Sequence, residues 1–152
     1  MPNLEFEMIY CLRVRGPMPS TKGWPRGERI YWEMSEATLD GARIKGRTEM
    51  PGGDWYAAGP DGYGRPDVRL QFVTEDDAII LLHYTGLVEM NEAFTAAAGN
   101  GNPSRFEDNY MRMVMSFDTG ASKYVWLNKH LFIAEKHLSD KEQIEYRVYR
   151  VT

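Results

Sequence analysis

The segment FEMIYCLRVR, residues 6–15, has an apolar or aromatic side chain at every second position. The residues on this face are Phe6, Met8, Tyr10, Leu12 and Val14. Charged side chains, among them Arg13 and Arg15, stand on the opposite face. A period of two is that of a β-strand with one face turned to a core. The segment therefore predicts a strand and favours an all-β protein.

The same alternation recurs along the chain, between segments rich in glycine and proline. Further strands are predicted at residues 29–34, 41–48, 67–74, 78–85, 110–117, 124–134 and 143–151. Turns or loops are predicted at 16–27, 35–40, 50–55, 59–66, 75–77, 118–121 and 139–141, and a short helix at 89–98. The uninterrupted apolar run Ile79–Leu82 predicts burial on both faces of its strand.

The composition argues against several classes of protein. Asp and Glu number 22 against 18 Lys and Arg, a net charge of −4, whereas nucleic-acid binders usually carry a basic excess. The single cysteine, Cys11, excludes an internal disulfide and a multi-cysteine zinc site. No apolar run is long enough to span a membrane, and the first residues do not resemble a secretory signal. We therefore expect a soluble cytoplasmic protein with no nucleic-acid or membrane partner.

The number of predicted strands decides the architecture. About eight antiparallel strands in 152 residues form a sandwich or a closed barrel, and a barrel of that size encloses side chains or one small ligand. Apolar residues lie on both faces of these strands, and partner subunits would cover the outer ones. We expect a closed or nearly closed antiparallel barrel of about eight strands, forming one domain (1–152) in a homo-oligomer.

The segment Gly52–Trp55, GGDW, is the first candidate for chemistry. Two glycines permit a sharp turn, and a carboxylate placed directly after one could serve as a catalytic acid or base. Asp54 is thus a catalytic candidate and Trp55 a wall of a pocket. The alternative is a plain turn in which Asp54 accepts backbone hydrogen bonds and Trp55 fills the core.

Two arginines on predicted strands are the second candidate. Arg69 and Arg112 would clamp an anionic group if both pointed into one lumen, because a guanidinium offers paired planar donors. The alternative is a solvated outer face, the usual location of strand arginines.

The aromatic segment 124–128 supplies the third candidate. Trp126 and Asn128 share a strand face in this reading, which suits an aromatic ligand oriented by one hydrogen bond. The alternative is a core strand that ends in a turn. The three histidines lack metal-binding spacing, and only His83 is a candidate for proton transfer. Residues 91–109 are long for a barrel turn and predict a lid or a surface excursion.

The order and spacing of several short motifs carry a family resemblance across nearly the whole chain. The motifs are Gly52–Trp55, Asp61-Gly62, Asp67–Arg69, Tyr110–Arg112, Phe117–Gly120 and Tyr124–Asn128. Together they resemble the bacterial and fungal family called domain of unknown function 3237, also known as the UPF 0311 proteins. The resemblance implies a small barrel similar to lipocalins and allene oxide cyclases, with no established cofactor.

These observations lead to a functional hypothesis. We expect a lyase, isomerase or cyclase that needs no cofactor and no metal, and that acts by acid–base chemistry on a small, largely apolar, aromatic or cyclic metabolite in the lumen. The catalytic candidates are Asp54 as acid or base, Arg112 as anion stabiliser with Arg69 as its helper, and Tyr84, which with Asn128 orients the substrate. The substrate-binding candidates are Trp55, Trp126, Asn128 and Tyr110. The alternatives are a carrier or sensor without chemistry, and an assembly subunit whose own side chains fill the lumen.

Overall fold

The computed structural model describes residues 1–20, 22–25, 27–140 and 142–152. Thr21, Arg26 and Lys141, which fall in the predicted loop 16–27 and the predicted turn 139–141, lie outside the described residues. The strands are β1 (Leu4–Arg15), β2 (Glu28–Gly41), β3 (Lys45–Thr48), β4 (Gly52–Ala58), β5 (Tyr63–Arg65), β6 (Asp67–Thr74), β7 (Ile79–Glu89), β8 (Met111–Asp118), β9 (Phe132–Leu138) and β10 (Gln143–Val151). The helices are α1 (Glu92–Asn100) and two short 3₁₀-helices, Ser122–Tyr124 and Leu127–Lys129.

The strands close into one antiparallel barrel. β6 to β10 follow one another around the ring, and β1 pairs with β10 on one side and with β2 on the other. β2 pairs in turn with β3 and β4, and both of these pair with β6. Closure leaves no long unpaired edge. The expected closed antiparallel barrel is confirmed.

The barrel has ten strands rather than the predicted eight, and the difference has a simple geometric origin. β3 and β4 occupy successive stretches along the same side of β2. β5 and β6 likewise occupy successive stretches along the same side of β7. Each of these two pairs of strands therefore fills a single position around the barrel, and a cross-section through it cuts eight strands.

Several predicted boundaries are wrong. The predicted turn at 35–40 is part of β2, which continues to Gly41 through a bulge opposite Arg13 and Val14. The predicted loop at 50–55 is largely the start of β4. The predicted strand 124–134 is mostly the two 3₁₀-helices, and β9 begins only at Phe132.

The interior takes one residue in two from each strand. Ile80 and Leu82 point inward and are fully buried, whereas Ile79 and Leu81 point outward and are almost half exposed. The expected burial of Ile79–Leu82 on both faces is therefore wrong for the single chain. The homo-oligomer that the outer apolar residues suggested stays a prediction.

The interior divides into two halves along the barrel axis. The packed half is filled with apolar side chains and closed by the 3₁₀-helices. Its members are Met8, Leu39, Phe72, Ile80, Leu82, Met115, Phe117, Phe132 and Val148, all at most 5% exposed. The cavity half is the other end, beneath α1. It shares β1, β2, β7, β9 and β10 with the packed half and adds β4, and the side chains of these strands leave space between them.

The short helix α1 covers the cavity half. The Asn91 side chain caps its first turn by accepting a hydrogen bond from the Phe94 N–H at 3.0 Å. Gly101 ends the helix in the left-handed conformation, with φ of 71°. Ser104 then binds the end of β9, because its N–H donates to the Leu138 carbonyl and its hydroxyl accepts from the Leu138 N–H. The segment is thus fixed over the end of the barrel.

Candidate active site

A cavity of about 270 Å³ lies in the cavity half of the barrel. Its apolar lining comes from six strands, from Met90 and from α1. The apolar residues are Leu12, Val14, Ile30, Trp32, Met34, Ala58, Val88, Met90, Phe94, Ala98, Leu138 and Ile144. The remaining lining residues are Asp54, Tyr56, Tyr84, Lys136 and Tyr146, so two ionisable groups of opposite charge face one apolar space.

Asp54 reaches the cavity because it occupies an inward position of β4. Only 7% of the residue is exposed, and its Oδ1 accepts a hydrogen bond from the Asp67 N–H at 2.9 Å. Burial raises the pKa of this carboxyl to about 6, although the Asp67 N–H and the charge of Lys136 pull it down. Oδ1 is thus held by the backbone, and the carboxyl group lines the cavity.

The glycines before Asp54 serve close packing rather than a turn. A Cβ on Gly53 would lie 2.6 Å from a ring carbon of Tyr31, and one on Gly52 would lie 2.3 Å from the Leu70 side chain. Both glycines are paired with β2 inside the sheet. The predicted sharp turn is therefore wrong, whereas the inward placement of Asp54 follows from the alternation along β4.

Lys136 is the second ionisable group of the cavity and was not predicted. It stands on β9 between the inward residues Ala134 and Leu138, and it is 7% exposed. Burial lowers the pKa of its ammonium to about 8, against the attraction of Asp54. Its Nζ lies 5.6 Å from the ring centroid of Tyr146. The described residues place no carboxylate oxygen within 4.0 Å of it and no hydrogen-bond acceptor beside it.

Three tyrosines close the floor of the cavity. The hydroxyl of Tyr84 lies 3.0 Å from that of Tyr146 and 3.2 Å from that of Tyr10. The rings of Tyr10 and Tyr146 stack with centroids 4.6 Å apart. Burial raises the pKa of all three hydroxyls, so they remain neutral donors and acceptors at neutral pH.

Tyr56 adds a polar group without a partner. Its hydroxyl is buried and forms no hydrogen bond with the described residues. The hydroxyl occupies the space that a side chain at position 64 would need, since it lies 1.4 Å from where a Gly64 Cβ would be. Burial, with a smaller effect from Asp54, raises the pKa of Tyr56 to about 12. A buried hydroxyl left unpaired costs free energy.

Of the predicted site residues, the structure brings Asp54 and Tyr84 together at the cavity and places the others elsewhere. Arg69 points outward from β6, and Arg112 points outward from β8, 3.7 Å from Glu135. The predicted placement of these two arginines in the lumen is wrong, because Val68, Leu70 and the methionines of β8 take the inward positions. His83 also faces outward and contacts Asp67 at 2.9 Å.

The predicted aromatic walls lie outside the cavity as well. Trp55 is 52% exposed on the outer face of β4, beside Tyr31, and Tyr110 is 49% exposed just before β8. Trp126 packs against Phe132 at the packed end, and the Arg43 guanidinium lies over the Trp126 ring. Asn128 binds the backbone of Thr119 in both directions, at 3.0 and 2.8 Å, and so closes a turn.

The residues that the structure describes contain neither a metal-binding cluster nor a membrane-spanning helix. There, no group of three His, Cys, Asp or Glu side chains converges to hold a metal ion. Within the same residues, no helix has the length and apolar character needed to cross a membrane. The cavity itself offers one carboxylate and neutral hydroxyls, which is a poor ligand set for a metal.

Known proteins share both the sequence pattern and the barrel. A UPF0311 protein of Rhodopseudomonas palustris (strain TIE-1) is 26% identical over 137 residues, which covers 87% of each chain. The crystal structure of a conserved protein of unknown function from Rhodopseudomonas palustris superposes with a TM-score of 0.90 at 19% identity, covering 100% of this chain and 99% of that one. An enzyme from Penicillium herquei has a TM-score of 0.70 at 22% identity, covering 99% and 95%.

At these identities the structural likenesses concern the fold. The family model is more direct, because it matches residues 2–151. This nearly complete match confirms the resemblance carried by the short motifs: the chain belongs to the family described as protein of unknown function (DUF3237).

Proposed function

We propose that the protein is an enzyme that catalyses an isomerisation, elimination or cyclisation by proton transfer, without a cofactor, on a small aromatic or cyclic compound. One observation carries the proposal. Asp54 and Lys136 face the same apolar cavity and each shifts the pKa of the other, yet they do not form a direct ion pair. Two titratable groups whose pKa values are displaced by their surroundings are the usual mark of an acid–base site.

The resting charge state suits the chemistry. With a pKa of about 6, Asp54 is mostly ionised at pH 7 and can accept a proton from a C–H or O–H group of the substrate. With a pKa of about 8, Lys136 is mostly protonated and can stabilise the oxyanion that forms. Lys136 thus takes the part that the sequence suggested for Arg112.

The cycle needs no other reagent. Asp54 removes a proton, the negative charge moves to a substrate oxygen near Lys136, and the proton held by Asp54 returns at a second atom. Return to another carbon gives isomerisation, loss of a leaving group gives elimination, and attack of the anion within the same molecule gives cyclisation. The hydroxyls of Tyr84, Tyr146 and Tyr56 supply hydrogen bonds that orient the substrate.

The cavity sets the size and polarity of the substrate. Its volume of about 270 Å³ lies just below the usual range for pockets of drug-sized ligands, which suits a compound of one or two rings. Trp32 and Phe94 offer aromatic surfaces, and the enzyme from Penicillium herquei shows that this barrel can serve an enzyme.

The test measures proton transfer directly. A panel of small phenols and cyclic ketones is incubated with the protein in deuterated water, and deuterium incorporation is followed by mass spectrometry. We expect Asp54→Asn to slow the exchange at least ~100-fold while ligand binding is retained, because general-base catalysis contributes on that scale. Asp118→Asn, an exposed carboxylate at the other end of the barrel, is the matched control.

A second outcome would favour the alternative function. If a panel compound binds in the cavity, returns unchanged and gains no deuterium, the protein is a carrier or sensor and the enzymatic proposal is wrong. The apolar lining would serve that role equally well.

A further inference from the structure

Lys136 differs from the two surface lysines that form ion pairs. Lys45 and Lys123 each contact a carboxylate at 2.7 Å on the surface, with Asp40 and Asp76 respectively. Lys136 is buried, and the described chain gives its Nζ neither an ion pair nor a hydrogen bond. Buried lysines in proteins are normally paired, because an unpaired ammonium is costly to remove from water. A lysine kept in this state has its amine available to a ligand.

The groups around Lys136 suit a nucleophilic amine. Asp54 faces it from β4, and the tyrosines face it from β4, β7 and β10, so no second cation or permanent partner holds its nitrogen. The side chains of the neighbouring strand residues Glu135 and His137 lie on the outer face. Burial favours the neutral amine, which is the form that attacks a carbonyl carbon. A carboxylate that can carry a proton stands across the same cavity.

We propose that Lys136 forms a Schiff base with the carbonyl group of a small aromatic or cyclic aldehyde or ketone bound in the cavity. The inference rests on the proposed function, because it uses the same cavity and names the class of its substrate. It deepens that function by making the lysine a covalent participant rather than a fixed charge.

The chemistry balances with water as the only co-product. Lys136 first gives one proton of its ammonium group to the Asp54 carboxylate and becomes a neutral amine. Its Nζ then attacks the carbonyl carbon, a C–N bond forms, and a proton moves from the nitrogen to the oxygen to give a carbinolamine. The C–O bond then breaks with a proton supplied by Asp54, and water leaves to give the protonated imine. The imine acidifies the neighbouring C–H of an enolisable substrate, Asp54 removes that proton, and hydrolysis later returns the carbonyl compound and the free lysine.

Reductive trapping tests the inference in the wild-type protein. The chain is treated at pH 7 with benzaldehyde and sodium cyanoborohydride, which reduces an imine to a stable amine, and peptide mass spectrometry locates the adduct. We expect Lys136 to be modified about tenfold or more faster than the exposed Lys129, because burial lowers the pKa of Lys136 to about 8 and so leaves more of its amine neutral. Benzyl alcohol, which fits the same space without a carbonyl, should slow the labelling of Lys136 and leave Lys129 unchanged.

Variants separate a reactive site from a merely accessible lysine. Lys136→Arg keeps the positive charge but cannot form an imine, so the cavity adduct should disappear, while Lys129→Arg should leave it intact. Lys136→Met, a side chain of similar length without charge, gives the same readout if arginine disturbs the fold. No adduct at Lys136 in the wild type, or labelling at the rate of Lys129 with no effect of benzyl alcohol, overturns the inference.

The failure of this inference differs from that of the proposed function. If benzaldehyde binds in the cavity without an adduct and Asp54→Asn still abolishes exchange, the covalent step is wrong and proton transfer stands. If Lys136 is labelled and Asp54→Asn exchanges like the wild type, the covalent step stands and Asp54 is not the base.

Discussion

The two halves of the barrel interior share five strands, β1, β2, β7, β9 and β10, but differ in what they enclose. In the packed half, the rings of Phe117 and Phe132 meet edge to face at 5.0 Å, and the Tyr124 hydroxyl donates to Asp76 at 2.6 Å where the end is closed. In the cavity half, β4 carries Asp54 and Tyr56 and β9 carries Lys136 around open space, and the Tyr56 hydroxyl has no hydrogen-bond partner among the described residues.

This difference separates stability from chemistry. Burial of large apolar side chains in the packed half stabilises the fold, because it removes apolar surface from water with few voids. The cavity half holds groups that cost stability, since charges are removed from water without a direct partner. The stability gained in the packed half therefore offsets the cost of the buried charges in the cavity half.

The largest effect should follow from truncating the same residue type in each half. Phe132→Ala should destabilise the protein by about 3–5 kcal/mol, because it leaves a cavity beside Phe117 and Trp126. Phe94→Ala, which removes a partly buried ring at the cavity, should cost about 1 kcal/mol or less, since the site already borders open space. Urea unfolding of both variants measures the difference. Equal losses would show that α1 is as important to stability as the packed half.

The second effect concerns the two charges of the cavity half. The double variant Asp54→Asn, Lys136→Met should be more stable than the wild type by about 1–4 kcal/mol, because replacement of buried charges together is often stabilising. Either single substitution should gain less, since it leaves the other charge without its counterpart. Thermal unfolding at pH 7 provides the measurement. A double variant less stable than the wild type would mean that this pair holds the barrel together.

The sequence predicted the barrel because alternation survives in single strands. The predicted bounds of four strands agree with the structure to within two residues, because each strand has one apolar face; these are β1, β6, β8 and β10. The segment 124–134 misled for a physical reason. Tyr124 and Trp126 are typical of strands, but Tyr124 and Leu127 are buried three residues apart, as the 3₁₀-helices require.

The sequence predicted only part of the site. Lys136 was missed because the end of the predicted strand 124–134 was wrong. Lys136 interrupts the inward series Phe132, Ala134 and Leu138, a visible signal of a buried lysine. The predicted strand stopped at residue 134 and so never reached it. For Arg69, the apolar Val68 and Leu70 on either side already indicated an outward position. The hollow beside Asp54 depends on how several strands meet, which no single strand reveals.

The third effect is a pair of opposite pH dependences, one from each half. The pKa of Asp54 lies above its ordinary value, at about 6, so its ionised form costs stability above pH 6 and that cost disappears as the pH falls below about 4. Asp54→Asn should therefore gain stability relative to the wild type between pH 4 and pH 7, by about 2 kcal/mol.

Asp76 in the turn at the packed end should behave in the reverse sense. Hydrogen bonds from Lys123, Tyr124 and Thr74 lower the pKa of its carboxyl, so its contribution is present at neutral pH and is lost as the pH falls below the ordinary aspartate range. Asp76→Asn should lose stability at pH 7 and match the wild type at low pH. Urea titrations from pH 3 to pH 7 compare the two variants, and the same sign for both would contradict the assignment of the halves.

The smallest effects should come from the arginines on the outer face. Arg69→Gln should change stability by no more than about 0.5 kcal/mol, because its side chain is exposed. Arg112→Gln should do little more, since its contact with Glu135 at 3.7 Å is a surface ion pair. Neither substitution should change deuterium exchange or the labelling of Lys136, because both side chains lie across the sheet from the cavity. If either variant impaired these reactions as strongly as Lys136→Met, an anion clamp on the outer face would take part in the chemistry, and the cavity half would not contain the whole site.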